Sequence, residues 1–87
     1  MPHQDIHAHR ELLKELLKEL RHEKRLTQVD LAAVLEQSQS FVSKYESGER
    51  TLDILEVRFL CLRLGVSLVD FCSRLERKIS RAEGTTL

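Results

Sequence analysis

Leucine residues near the start of the chain recur with the spacing of one buried helical stripe. Four of them stand at i, i+3, i+4 and i+7, with mostly charged side chains between them: Leu13, Leu16, Leu17 and Leu20. This pattern predicts an amphipathic helix over about 10–25. Between residues 10 and 79 no stretch alternates apolar and polar positions as a half-buried strand would. The chain is therefore expected to be all-α.

Capping signals divide the remainder of the chain into four more helices. Three helix starts place a Ser, Thr or Asp three residues before a carboxylate, as in a capping box: Thr27 with Asp30, Asp53 with Glu56, and Ser67 with Asp70. Ser38 offers a capping hydroxyl alone, while Gly48 and Gly65 suit the left-handed residue that often ends a helix. The helices are expected at about 10–25, 28–35, 39–47, 53–64 and 68–79.

The length of 87 residues allows one small hydrophobic core and no second one. Its expected members include Leu31, Leu35, Val42 and Leu60, with Leu64 and Phe71. With 41% apolar and 32% charged residues, the composition is that of an ordinary globular domain. We predict a compact five-helix bundle over residues 10–79, with a disordered tail over 1–9 and a flexible tail over 80–87.

Membrane and metal-binding proteins are not indicated. No apolar run approaches the roughly 18 residues that span a bilayer, and no signal-peptide core follows the start, so we expect a cytoplasmic protein without a membrane partner. Cys61 and Cys72 cannot form a disulfide framework. His3 and His7 are spaced i,i+4, but they precede any convincing helix and lack Cys or acidic partners at the spacing of a metal site. No metal is therefore expected.

Catalytic motifs are not found either. The chain carries no phosphate-binding glycine loop, no nucleophile elbow and no His beside a Ser or Cys in a credible arrangement. We therefore expect a protein that is not an enzyme, needs no cofactor and has no small-molecule substrate. Since no effector domain accompanies the bundle, direct control by a small molecule is not expected.

The third predicted helix carries an unusual polar stripe. It consists of amides, hydroxyls and one amine, whereas a solvated face usually carries more Glu and Lys: Gln39, Ser40, Ser43 and Lys44. These groups can recognise base edges in the major groove, since an amide pairs with adenine, Lys with guanine and a hydroxyl with either. The stripe is either a DNA-contacting surface or the solvated face of a small bundle.

Two runs on either side of a short turn carry a family resemblance. TQVDLAAVL, from Thr27 to Leu35, and SQSFVSKYESGER, from Ser38 to Arg50, together resemble the helix-turn-helix domain of the phage repressor and Cro type. The similarity extends over roughly residues 12–76. It implies a bacterial or phage-encoded transcriptional regulator, expected to be a repressor, that places helix 39–47 in the major groove of a double-stranded DNA operator.

The resemblance also implies roles for single residues. Base contacts are implied for the N-terminal part of the third helix: Ser38, Gln39, Ser40, Ser43 and Lys44. Phosphate contacts are implied at four positions: Arg21, Gln28, Ser47 and Arg50. Arg21 and Glu46 also match a pair that forms a salt bridge between the first and third helices.

The chain departs from the family pattern in two respects, which keep other functions open. Arg25 and Glu36 stand where the family often has glycine, so the backbone there must be strained or shifted. Residues 27–52 carry two basic side chains against four acidic ones, and this net charge of −2 weakens attraction to phosphate. The alternatives are an antitoxin that masks a toxin protein, and a protein-interaction module that retains the fold without binding DNA.

The fifth predicted helix suggests a homodimer. Its apolar residues recur at intervals of 4, 3 and 4, like the seam between two packed helices: Leu68, Cys72, Leu75 and Ile79. A two-fold dimer would contact two half-sites about 34 Å apart. The alternative is that Leu68 and Leu75 face the core of their own chain.

Overall fold

The computed structural model describes residues 5–84, and five α-helices without strands make up this part of the chain. In chain order they are α1 (Ile6–Glu23), α2 (Gln28–Leu35), α3 (Gln39–Ser47), α4 (Ile54–Arg63) and α5 (Leu68–Ala82). The predicted all-α five-helix fold is thereby confirmed. None of the helices in the described part is long and apolar enough to cross a membrane.

The first helix begins earlier than the leucine pattern indicates. Asp5 caps it, because its carboxylate accepts hydrogen bonds from the backbone N–H groups of His7 and Ala8 at 3.1 and 3.2 Å. Residues 6–9 therefore form the first turn of α1, and the prediction that they belong to a disordered tail is wrong. Residues 1–4 of that tail lie outside the described residues.

The last helix likewise extends beyond its predicted end at residue 79, to Ala82. Ser80 is buried against the bundle, and the side chains of His9 and Glu83 share a hydrogen bond of 2.8 Å that joins the start of α1 to the end of α5. The flexible tail predicted over 80–87 is thus helical at residues 80–82, while residues 85–87 lie outside the described residues.

Capping interactions start the other helices where the sequence places them. Thr27 and Asp53 form complete capping boxes with Asp30 and Glu56. The backbone and hydroxyl hydrogen bonds of Thr27 lower the pKa of the Asp30 carboxyl. At Ser67 only the hydroxyl side of the predicted box is formed within residues 5–84, with the Asp70 N–H as its donor.

Two turns use residues with left-handed backbone geometry that are not glycine. Arg25, before α2, has a φ of 56°, and Glu36, at the C-terminal end of α2, has a φ of 55°. A side chain with a Cβ atom is disfavoured there by about 1 kcal/mol relative to glycine. The backbone strain expected at Arg25 and Glu36 is therefore confirmed. Helices α1, α2 and α3 keep the order and connections expected of the helix-turn-helix motif.

A single core of apolar side chains drawn from all five helices holds the bundle together. Leu31 and Val42 are fully buried within it, as the sequence predicts. Helix α3 packs against α2 and α1, while α5 lies across α1 and α4. One side of α3 is therefore covered by the first two helices, and its other side is open to solvent.

Candidate nucleic-acid interface

The two faces of α3 differ in burial and in chemistry. Val42, Tyr45 and Glu46 are buried. The opposite face carries the predicted base-contacting groups, all exposed apart from the partly buried Ser43: Ser38, Gln39, Ser40, Ser43 and Lys44. Ser38 also caps the helix, since its hydroxyl accepts a hydrogen bond from the Phe41 N–H at 3.1 Å. The fold thus brings these residues together on one accessible surface.

The Arg21–Glu46 salt bridge fixes α3 to α1. The guanidinium of Arg21 donates to the two carboxylate oxygens of Glu46 at 2.8 and 2.9 Å, and its third nitrogen donates to the Leu26 carbonyl at 2.8 Å. The Glu46 side chain is only 1% exposed and that of Arg21 11%. The hydrogen bond to Glu46 raises the pKa of Arg21 above its ordinary value. This bridge was predicted, and it is confirmed.

Gln28 extends the bridge to the outer surface. Its amide nitrogen donates to Glu46 at 3.1 Å, and its amide oxygen accepts from the Gln39 side chain at 3.3 Å. A continuous set of hydrogen bonds therefore joins Arg21, Glu46, Gln28 and Gln39. It orients Gln39 at the start of α3, and we call it the α3 network.

The α3 network includes two of the four residues that were predicted to contact phosphate, namely Arg21 and Gln28. The polar atoms of Arg21 and Gln28 are bonded inside the motif, so a contact between either side chain and a phosphate would require some of these bonds to exchange. Ser47 is likewise engaged, since its hydroxyl donates to the Lys44 carbonyl at 3.1 Å. In this structure the side chains of Arg21, Gln28 and Ser47 therefore form hydrogen bonds within the protein that hold neighbouring residues in position.

Arg50 lies in the segment that follows α3 and is held from two sides. Its guanidinium lies 4.9 Å from the centroid of the Phe41 ring and pairs with the Glu56 carboxylate. Its backbone N–H donates to the Lys44 carbonyl at 3.0 Å. Phe41 is partly buried against the core and contacts the ring of Tyr45 edge-on. Phe41 thus packs against the protein and also supports Arg50.

Lys44 is the one cation of the stripe, and its side chain is exposed. Its amine lies 3.9 Å from the Glu49 carboxylate, and both side chains are more than half exposed. An ion pair at that distance in solvent contributes little and exchanges readily. Lys44 can therefore turn to a different anion or acceptor without breaking a buried contact.

Two contacts that support this surface were not predicted. Gln28 donates a hydrogen bond to Glu46 and Arg50 donates one to Glu56, and these bonds join residues 18 and 6 positions apart. Only the packing of α2, α3 and α4 brings them into contact. The pairing of Arg21 with Glu46 was the one signal in the sequence that pointed to a buried Glu46.

The apolar residues predicted to form a dimer seam do not make one open stripe on α5. Leu68 and Leu75 pack against the core of their own chain, and Ile79 is partly buried, whereas Cys72 is exposed. Since α5 lies across α1 and α4, the heptad-like spacing is largely satisfied within the chain. Of the two helices α4 and α5, α4 has the more extensive exposed apolar surface: Ile54, Leu55, Phe59 and Leu62.

Comparison with known families agrees with this geometry. A family model described as helix-turn-helix matches residues 17–71, which contain α2, α3 and α4 together with the last part of α1 and the first turn of α5. The chain belongs to this helix-turn-helix family. No match was found among curated protein sequences.

Two solved structures are similar to this helix-turn-helix chain. One is an XRE-family like protein from Pseudomonas syringae pv. tomato str. DC3000, with 41% identity, a TM-score of 0.75, and coverage of 82% of this chain and 87% of that one. The other is the wild-type restriction-modification controller protein C.Esp1396I, with 29% identity, a TM-score of 0.76, and coverage of 84% of this chain and 95% of that one. These similarities identify a DNA-binding protein of the transcription-regulator class.

Proposed function

We propose that this protein represses transcription by occupying a specific DNA operator, with α3 in the major groove. The observation that carries the proposal is the exposed polar stripe of α3, whose first residue, Gln39, is oriented from behind by the buried α3 network. A side chain held in one orientation loses less entropy when it binds a base, and this favours sequence-specific contacts.

The charges around α3 support recognition through a few specific contacts. Four acidic residues lie between positions 27 and 52, two of which are occupied within the fold: Asp30 in its capping box and Glu46 in the salt bridge. Glu36 and Glu49 remain exposed near the surface of the motif. They repel phosphate, so binding depends on the correct bases more than on general attraction to DNA.

Variants of the stripe test whether α3 contacts bases. An operator is first obtained by selecting bound fragments from random duplex DNA. Lys44→Ala and Gln39→Ala should then weaken operator binding by about 1–3 kcal/mol and relax the preference at one or two base pairs. Competition binding with operator and scrambled DNA measures both effects. Equal losses on the two DNAs would show that α3 does not select the sequence.

Arg50 is expected to contact phosphate, for which it must first leave Glu56. Arg50→Ala should weaken binding to operator and scrambled DNA alike, and the slope of log affinity against log salt should shrink by about one. Arg77→Ala is the matched control, since Arg77 is exposed on α5, a helix that packs on α1 and α4. A loss confined to the operator, or an equal loss for the Arg77 variant, would contradict the assignment.

We propose that the regulator is a homodimer whose two copies meet through α4. Leu55, Phe59 and Leu62 follow one another at helical spacing, and Leu55 is 72% exposed. Exposed charges of both signs lie beside them, Arg58 on α4 and Asp53 at its N-cap, so a two-fold copy can place unlike charges opposite each other. Leu55 and Phe59 also line the groove that α4 forms beside Phe41 of α3.

Sedimentation equilibrium distinguishes α4 from α5 as the interface. Leu55→Glu should weaken dimerisation by about tenfold or more, because it buries an unpaired carboxylate at the centre of the contact. Val69→Glu is the control, since Val69 is 75% exposed on α5 and should leave the dimer unchanged. The opposite pattern would place the interface on α5. A wild-type chain that stays monomeric at about 100 μM would exclude the homodimer.

A further inference from the structure

A pocket of about 230 Å³ lies between the first half of α1, the end of α3 and the segment that follows α3. Leu17 and Leu52 contribute apolar wall, and the largely buried Tyr45 also lines the pocket. Charged side chains from α1 also line it, chiefly Arg10 and Lys14. The pocket combines an apolar interior with a positively charged border. This combination is typical of sites for small organic anions.

The Tyr45 hydroxyl is the feature that calls for a ligand. The residue is 2% exposed, and its hydroxyl oxygen is buried with no hydrogen-bond partner among residues 5–84. Burial raises the pKa of Tyr45 well above its ordinary value, so the group stays protonated and can donate. Buried polar groups in native proteins are almost always paired, and an unpaired donor on a residue that lines a pocket therefore points to an acceptor that reaches this donor when it binds there.

Lys14 is held in place at the same pocket. Its amine donates to Glu11 at 3.0 Å and to the Ser47 carbonyl at 3.4 Å. Its side chain lies across Gly48, where an added Cβ atom would approach the Lys14 Cδ to 3.3 Å. Gly48 also has a φ of 87°, so glycine both ends α3 and leaves room for the lysine.

The charge balance favours an anion. Three side chains with permanent positive charge line the pocket, namely Arg10, Lys14 and Arg50, against the single carboxylate of Glu11. Glu56 pairs with Arg50 from outside the pocket lining, and the Lys14 amine is shared with Glu11 and the Ser47 carbonyl, so a ligand would meet Arg10 and the remaining N–H of Lys14. The volume is below the range of about 300–1,000 Å³ that is usual for drug-sized ligands, so the ligand must be smaller.

We propose that this pocket binds a small organic carboxylate. Its charge is balanced by Lys14 and Arg10, its hydrocarbon part contacts Leu17 and Leu52, and an oxygen accepts a hydrogen bond from the Tyr45 hydroxyl. This site lies inside the helical bundle itself. Tyr45 is the residue after Lys44 on α3, so the ligand would contact the same helix that meets DNA.

Titration of the ¹⁵N-labelled full chain with butyrate tests the site without DNA, and its outcome is independent of the proposed operator function. Backbone amide signals of Leu17, Tyr45 and Gly48 should shift and saturate with a dissociation constant of about 1 mM, which is typical of so small a ligand. Butyramide, the neutral equivalent, and inorganic phosphate, an anion without a hydrocarbon part, should each bind about tenfold more weakly or not at all.

Two variants assign the contacts, and one controls for charge. Tyr45→Phe should lower butyrate affinity about three- to tenfold while leaving the thermal midpoint unchanged or higher, because it removes an unpaired hydroxyl and keeps the ring. Lys14→Met should lower affinity by a similar factor, and Lys24→Met, which alters an exposed lysine at the far end of α1, should not.

Three results would overturn the proposal. Non-saturating shifts with butyrate at about 50 mM would show that no site exists. If butyramide bound as tightly as butyrate, the pocket would be an apolar cavity that does not select a charge. If phosphate bound as tightly as butyrate, binding would be a general effect of surface charge. If the Tyr45→Phe variant kept its fold and bound butyrate with wild-type affinity, the Tyr45 hydroxyl would not contact the ligand.

Discussion

Replacement of Glu46 by alanine is expected to lower the free energy of unfolding by about 3–5 kcal/mol. The guanidinium of Arg21 would lose two of the three oxygens that accept its hydrogen bonds, and it would remain largely buried with only the Leu26 carbonyl as acceptor. Gln28 would lose an acceptor at the same time. Small domains are stable by only about 5–15 kcal/mol, so urea titration should show a midpoint far below that of the wild type.

The matched control is Glu49→Ala, which removes an exposed carboxylate from the segment just after α3. Its expected effect is within about 0.5 kcal/mol. The double variant Arg21→Ala with Glu46→Ala should lose less stability than the two single variants added together, since removal of both partners leaves no buried charge unpaired. A Glu46 variant as mild as the Glu49 control would show that the salt bridge does not hold α3.

Truncation of Leu31 to alanine is expected to destabilise the fold by about 2–5 kcal/mol. Leu31 is fully buried where α2 meets the core, and the neighbouring helices cannot close the cavity that its side chain would leave. Val42→Ala tests the same core from α3. Thermal or urea unfolding measures both changes.

Val29→Ala is the control for these core variants. Val29 lies on α2 two residues before Leu31, but its side chain points into solvent. Its truncation should change stability by no more than about 0.5 kcal/mol, whereas the chemically identical Val42→Ala should have a clear effect. Similar effects of the two valine variants would mean that the buried faces of α2 and α3 are misassigned.

The helices could be predicted from the sequence wherever local chemistry decides them. The capping residues Thr27, Ser38 and Asp53 define three starts, because the donors and acceptors lie within one turn of each other. The start at Ile6 was missed because three polar histidines near the N-terminus hide the apolar pattern, although Asp5 provides a cap. Local caps and apolar periodicity therefore need to be weighed together at a chain end.

The candidate site could be predicted only in part, because periodicity identifies a face and not what covers it. The repeat at Leu68 and Leu75 fits a seam with a second copy and the core of one chain equally well. Likewise, the sequence places Arg21 and Gln28 near the motif, but the choice between protein and phosphate partners depends on where Glu46 lies. The pocket beside Tyr45 requires side chains from three separate segments, and no single stretch of sequence contains it.

The ion pair between Arg50 and Glu56 has a consequence for the search along DNA. The Glu56 carboxylate pairs with the Arg50 guanidinium in the free protein, so a phosphate must displace this carboxylate and gains less binding free energy than it would from an unpaired arginine. Under the proposed function, contacts with random DNA would then be brief, since they would rely on phosphate alone. A site that also satisfies the side chains of α3 would retain the protein for longer. We therefore expect an acidic residue outside the contact surface to shorten the time spent on incorrect sites.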